Sequence, residues 1–298
     1  LTLLVIFGFI HGLLFWDGDI LLAYGLIGLI CWRLIRDAPS VKSLFNTGVL
    51  LYLVGVGVLL LLGVISGSET SRAWTPDASA LLYEKYWKVN GGMEAISNRV
   101  DMMSNSLLAL GAQYGWQLAG MMLLGAALMR SGWLKGQYSL QHYRRTGVLL
   151  VILGMAINLP AIVAQWHLDW AYRWCAFLLQ APRELGAPLQ TIGYAALMFG
   201  FWPQLSRLKW VIAIACVGRM ALTNYLLQTL ICTTLFYQVG LFMKFDRLEL
   251  LYFVIPVWAV NLLFSVIWLR FYRQGPVEWL WRQLTLRAAG TSLPRTSR

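Results

Sequence analysis

Residues 48–66, GVLLYLVGVGVLLLLGVIS, hold no charged side chain and no proline. Nineteen residues in an α-helix rise about 28 Å, close to the ~30 Å hydrocarbon core of a bilayer. Three more stretches, 107–129, 147–166 and 250–269, are equally long and equally free of charge. Shorter or less uniform apolar stretches lie at 1–16, 19–35 and 187–202. The run 210–243 is too long for one ordinary span, so a split at Gly218 is expected, into a half-helix and a span over 219–240. The predicted fold is all-α: a polytopic integral-membrane helical bundle of about eight transmembrane helices, with residues 1–298 forming one membrane domain.

Composition agrees. Hydrophobic residues make up 59% of the chain and charged residues 12%, against about 25% charged in ordinary soluble domains. Many of the fifteen tryptophans, including Trp16, Trp32, Trp74, Trp166, Trp170, Trp202 and Trp210, fall near span ends, where indole rings anchor helices at the interface.

The net charge of +11 does not mark a nucleic-acid partner, because the basic residues are scattered between apolar spans and form no single patch. Alternate connections divide them unevenly. Fifteen Lys and Arg lie in 33–42, 130–146, 207–209 and the tail, against eight in 67–106, 167–186 and 244–249. The positive-inside rule therefore puts the first set, with the C-terminus, in the cytoplasm and the second set outside. The lipid bilayer is the expected partner. Residues 1–16 have no basic leader and no small-residue cleavage site, so earlier spans of the same protein are expected upstream. Cys31, Cys175, Cys216 and Cys232 have no ligand spacing, and neither a disulfide nor a metal site is expected.

Few residues offer chemistry. His11 sits in an apolar span, and Asp17 and Asp19 follow it across a Gly18 turn. An imidazole oriented by a carboxylate is a general base, which makes His11, Asp17 and Asp19 the catalytic candidates. The plainer alternative keeps Asp19 as the N-cap of the next helix, Asp17-Gly18 as a turn, and His11 as a hydrogen-bonded packing residue. A second cluster is Arg219, Thr223, Asn224 and Gln228, which covers about half of a helix circumference. Such a face is either interhelical glue or the lining of a site where Arg219 meets an anion. Gln113, Tyr114 and Gln117 stand among Gly111, Gly115 and Gly120, a pattern for close helix packing or a weaker ligand site. Asn158, Asn261 and Ser265 are lesser members of the same class. In 67–106, Thr75-Pro76-Asp77 is a helix-start signal ahead of Tyr83, Glu84, Lys85, Tyr86, Trp87 and Lys88. That helix lies on the membrane surface or forms a lid over an outward pocket. No GxSxG, Walker, HExxH or dinucleotide motif occurs in a usable context.

Three runs carry a resemblance: His11-Gly12 through Gly18-Asp19-Ile20-Leu21, Gly218-Arg219 through Thr223-Asn224-Tyr225-Leu226, and Gly275-Pro276-Val277-Glu278-Trp279-Leu280-Trp281-Arg282. They are similar to the YeiB family of uncharacterised bacterial inner-membrane proteins. In that family the C-terminal half, here 130–286, is a domain of unknown function. A more distant similarity links the family to transmembrane acyltransferases, which pass an acyl group from a cytoplasmic donor to an acceptor on the far side. That resemblance implies an acyl carrier such as acyl-CoA. The bacterial O-acyltransferases carry an Arg and a His a helix-length apart on their first span. Nothing here matches that pair, so His11 takes no role by resemblance. Acyl transfer is the favoured expectation, with His11 as base and Arg219 meeting the donor across a shared passage. The alternative is a transporter or channel for a small solute.

Overall fold

A computed structural model describes residues 1–67 and 74–290. Residues 68–73 of the 67–106 segment, and Arg295 and Arg298 of the tail, lie outside the described residues. Helices follow one another as α1 (Thr2–Leu14), α2 (Leu21–Asp37), α3 (Val41–Ile65), α4 (Ala78–Asn90), α5 (Gly92–Ala109), α6 (Gly115–Arg130), α7 (Leu140–His167), α8 (Gln180–Leu205), α9 (Lys209–Arg219), α10 (Ala221–Thr233), α11 (Leu251–Phe271) and α12 (Pro276–Ala288). Wider π turns join α5 to α6 at Leu110–Tyr114, lead into α8 at Trp174–Leu178, and extend α10 over Thr234–Gln238. The described chain is all-α.

Among the described residues four helical segments are long and apolar enough to cross a membrane: Val41–Ile65, Gly92–Arg130, Leu140–His167 and Leu251–Phe271. A fifth is present if the bent pair Lys209–Arg219 and Ala221–Gln238 counts as one span. The remaining expected spans take other forms. Residues 1–16 give the 13-residue α1, 19–35 give the 17-residue α2, and 187–202 lie inside the longer α8. The break expected at Gly218 falls at Met220 and turns the chain by 84°. The helix of 147–166 continues through Pro160. Ile152, Val163, Ile255 and Trp258 are well exposed on these helices, apolar surface that lipid covers and water does not tolerate over such lengths.

Contacts divide the chain into two compact units. Unit 2 comprises residues 23–81 and 104–205. Its packing relies on small residues. A methyl added at Gly120 would stand 2.6 Å from the Gly48 carbonyl oxygen and 2.7 Å from the Tyr52 nitrogen, and Gly55 meets Gln117 in the same way. Along this seam residue numbers on α3 rise as those on α6 fall, so the two helices are antiparallel. Helices α7 and α8 repeat the device, with Gly147 against Leu197, Val151 against Gly193 and Gly154 against Gly186. Close backbone approach of this kind substitutes for the hydrophobic drive that is missing between helices in lipid. Buried Trp133 and Tyr143 pack with Phe199 at one end. Thr75-Pro76-Asp77 does start a helix: Asp77 accepts from the Ala80 N–H and the Ser79 hydroxyl, and these bonds, Ser79 first, hold its carboxyl below the usual range.

Unit 1 comprises residues 1–22, 82–103 and 206–298. Here α9 and α10 meet at the bend, α11 packs against both, and α12 returns to the N-terminus of α10. The return has a clear cause. Gly275 precedes Pro276 at the first helical position, a favoured start. Glu278, in the first turn of α12, accepts from the Thr223 N–H at 2.9 Å and from the Thr223 hydroxyl, while that hydroxyl oxygen accepts from Val277 N–H at 3.1 Å. A carboxylate at a helix N-terminus satisfies an orphan amide and complements the dipole. Glu278→Ala should therefore cost about 1–2 kcal/mol, read as a lower thermal midpoint of the purified protein, whereas Glu278→Gln should cost less.

Candidate functional site: a carboxylate-held histidine beside an apolar cavity

All parts of the candidate site lie in unit 1. Helix α1 ends at Leu14, and the chain turns through Asp17-Gly18 into α2. That turn brings Asp19 back over α1. Its Oδ2 accepts from the Leu22 N–H at 2.8 Å, which makes it the cap of α2, and its Oδ1 lies 2.8 Å from His11 Nδ1. Gly12 leaves room for this return, since a methyl there would already touch the Asp19 Cβ at 3.4 Å. The Tyr225 hydroxyl, from α10, donates to the same Oδ1 at 3.1 Å and accepts from the Ile20 N–H. His11 and Asp19 are 5% and 4% exposed at their side chains. Asp19 thus does both things the sequence allowed, capping a helix and holding a histidine.

An ionised carboxylate only accepts, so His11 Nδ1 carries the proton. In the neutral imidazole Nε2 is then the lone-pair nitrogen. Among the described residues it is buried without a hydrogen-bond partner, and an unpaired buried polar atom is costly unless it has a use. The Tyr225 ring lies 5.1 Å from the imidazole and the Trp16 ring 6.4 Å, centroid to centroid.

Both of those rings also line a cavity of about 550 Å³. Its wall follows α10 through Tyr225, Gln228, Thr229, Cys232 and Thr233, continues to Phe236 in the π turn, and closes with side chains of the 241–250 connection. Positions 225, 228, 229, 232, 233 and 236 form one helix face. That spacing was the signal from which the wall could have been found. His11 itself does not line the cavity; it stands one ring layer behind.

Asp17 parts company with Asp19. It faces Lys88 of α4 at 3.4 Å, and Glu84 lies 3.3 Å from the same ammonium. Lys88 is buried beneath Trp87, Tyr237 and Phe242. Burial opposes its charge, but Asp17, Tyr237 and Glu84 outweigh that and raise the ammonium above its ordinary range. Arg99 of α5 donates to the Leu14 carbonyl oxygen at 2.9 Å. Asp17 is therefore half of an ion pair that fixes the end of α1, and Lys88 lies on the helix that the sequence leads one to expect on the membrane surface or as a lid.

The second cluster divides. Thr223 belongs to the α12 cap. Asn224 donates to the Val217 carbonyl oxygen across the α9–α10 break and to Ser265 Oγ at 2.8 Å, with Ser265 bonded on to the Asn261 carbonyl oxygen. These residues are interhelical glue. Gln228 lines the cavity. Arg219 is exposed and donates to the Arg273 carbonyl oxygen at 2.8 Å; like His11, it does not line this cavity. Gln113 and Gln117 belong to unit 2. There Gln113 donates to Gly55 O and to Gln117 Oε1, and Gln117 is buried in the α3–α6 seam. The four cysteines are free thiols, and among the described residues no group of three or more His, Cys, Asp or Glu could hold a metal ion.

The family described as "Protein of unknown function (DUF418)" matches residues 128–288. The chain is 82% identical to the uncharacterized protein YeiB of Escherichia coli (strain K12) over all of its 298 residues, which cover 77% of that protein. It is 31% identical to the uncharacterized protein YxaH of Bacillus subtilis (strain 168) over 300 residues, 96% of this chain and 70% of that one. The chain belongs to the DUF418 family. No solved structure matches it. The DUF418 match takes in α9 to α12, hence Tyr225 and the cavity wall apart from Trp16, but begins well after His11 and Asp19. The full-length likeness to YeiB takes in both halves of the site.

Proposed function

We propose that the chain is an inner-membrane acyltransferase, moving an acyl group from a cytoplasmic thioester donor such as acyl-CoA to a hydroxyl acceptor on the outward side. The observation that carries this reading is the Asp19-held His11, with its Nε2 lone pair unpaired, one ring layer from the cavity. An imidazole oriented through Nδ1 by a carboxylate is the arrangement a general base needs. The acceptor oxygen attacks the thioester carbonyl, the C–O ester bond forms and the C–S bond breaks. Nε2 takes the hydroxyl proton and returns it to the leaving thiolate. The acceptor reaches Nε2 by turning the Trp16 ring aside, a side chain more than a third exposed. Arg219 is assigned no part in the transfer. Incubating the purified full-length protein with acyl-CoA and membrane lipid tests the reading: thiol release matched by new ester supports it, and neither product defeats it.

The Lys/Arg distribution supports the orientation, with the C-terminus and 130–146 cytoplasmic and 67–106 outward. Lys85→Cys, in a background with the four natural cysteines changed to Ser, should react with an impermeant maleimide from outside the cell. Reaction only from the cytoplasmic side would overturn the topology.

One observation favours transport of a small solute instead. The 84° break between α9 and α10 resembles the interrupted helices that build transporter sites.

A further inference from the structure

We infer that the 550 Å³ cavity seats the hydrocarbon chain of a single-chain lipid, so that the reacting group is presented by an amphiphile and not by a free polar solute; this rests on the acyl-transfer reading. The volume falls within the ~300–1,000 Å³ of ordinary ligand sites. The wall facing α10 includes Leu241, Phe242, Met243, Phe245 and Leu250, and among the described residues no charged side chain lines the space. A sugar or an ion would lose its hydration there with little in return. The threonine hydroxyls of the polar stripe are already spent, Thr229 donating to the Tyr225 carbonyl oxygen and Thr233 to that of Thr229. The amide of Gln228 and the edge of Tyr225 face a polar group from the α10 side, and the Tyr225 hydroxyl is bonded to Asp19. A chain packed on the phenylalanines therefore brings an attached oxygen to the side of the cavity nearest His11. The far wall is held in shape: the Lys88 ammonium lies 5.6 Å from the Tyr237 ring centroid and 5.5 Å from that of Phe242, a cation–π contact that fixes both rings.

Photolabelling decides this. The full-length protein is placed in vesicles of phosphatidylethanolamine and phosphatidylglycerol with a diazirine-bearing palmitoyl lysophosphatidylethanolamine or its butyryl counterpart, and the labelled residues are mapped by mass spectrometry. The palmitoyl probe should label peptides spanning 232–245 about tenfold more than α11 peptides carrying Ile255 and Trp258, and about tenfold more than the butyryl probe does. Cys232→Trp and Thr233→Trp, which fill the cavity, should each remove that label and leave the α11 label in place. His11→Ala should keep it while losing transfer, which separates binding of the chain from the chemistry. Equal labelling of the cavity and α11, or equal capture of both probes, would overturn the inference even if acyl transfer is observed. The wild-type map decides this without the variants, should either fail to fold.

Discussion

His11→Ala should lower acyl transfer by about 10²–10⁴-fold, the usual contribution of a positioned general base, with little change in the thermal midpoint. The midpoint is spared because Asp19 keeps two of its three partners, the Leu22 N–H and the Tyr225 hydroxyl. Asp19→Asn should act in the same direction. An asparagine still caps α2, but its amide no longer sets Nδ1 as the protonated nitrogen, so the lone pair on Nε2 is lost in part. Tyr225→Phe should have a smaller effect, since it removes one of two donors to Asp19 Oδ1 and leaves the ring on the cavity wall. The graded series, measured as kcat by thiol release and as midpoint in parallel, distinguishes this from a merely structural role. A packing histidine would lose stability and activity together.

The largest stability effect should come from Gly120→Leu. The side chain would have to occupy space already taken by the Gly48 carbonyl oxygen and the Tyr52 backbone, and neither can swing away. Overpacking of this kind costs about 3 kcal/mol at the top of its usual range, enough to separate α3 from α6 and to abolish a monodisperse preparation. Gly125→Leu, on the same helix, meets nothing within 4 Å and should stay within about 0.5 kcal/mol of wild type, as substitutions facing open space do. Comparing the two by thermal unfolding in detergent controls for the change of residue type. A Gly120 variant as stable as the Gly125 variant would mean that the α3–α6 seam is not closed by glycine.

The bundle was legible because its signals are local. Uncharged runs such as 48–66 and 250–269 have the length and composition of helices wherever they pack, and Asp77 caps α4 as its Thr-Pro-Asp context requires. The His11–Asp19 contact was legible for a similar reason: eight residues and one glycine turn separate the pair. What stayed hidden depends on distant chain. Nothing near Tyr225 announces that its hydroxyl meets a carboxylate 206 positions away. Lys88 looks like part of a surface helix until Asp17, 71 residues earlier, is brought beneath it. The polar stripe from Arg219 to Gln228 carries one pattern but serves three purposes, because Glu278, Ser265 and the cavity each claim a different residue. Arg219 and His11 both stand out as ionisable residues beside apolar sequence, yet they are satisfied separately, one by a backbone carbonyl and the other by Asp19.

The most direct test of the acyl-transfer reading uses the full-length protein in proteoliposomes of bacterial polar lipid, with acyl-CoA labelled in its acyl group. Free thiol and lipid-extractable ester are followed together for wild type and His11→Ala. The account predicts that thiol and ester appear in equal amounts with wild type, and that both fall to the background rate in the variant. Turnover by His11→Ala at the wild-type rate, or no thiol release alongside movement of an unmodified solute across the membrane, would contradict it.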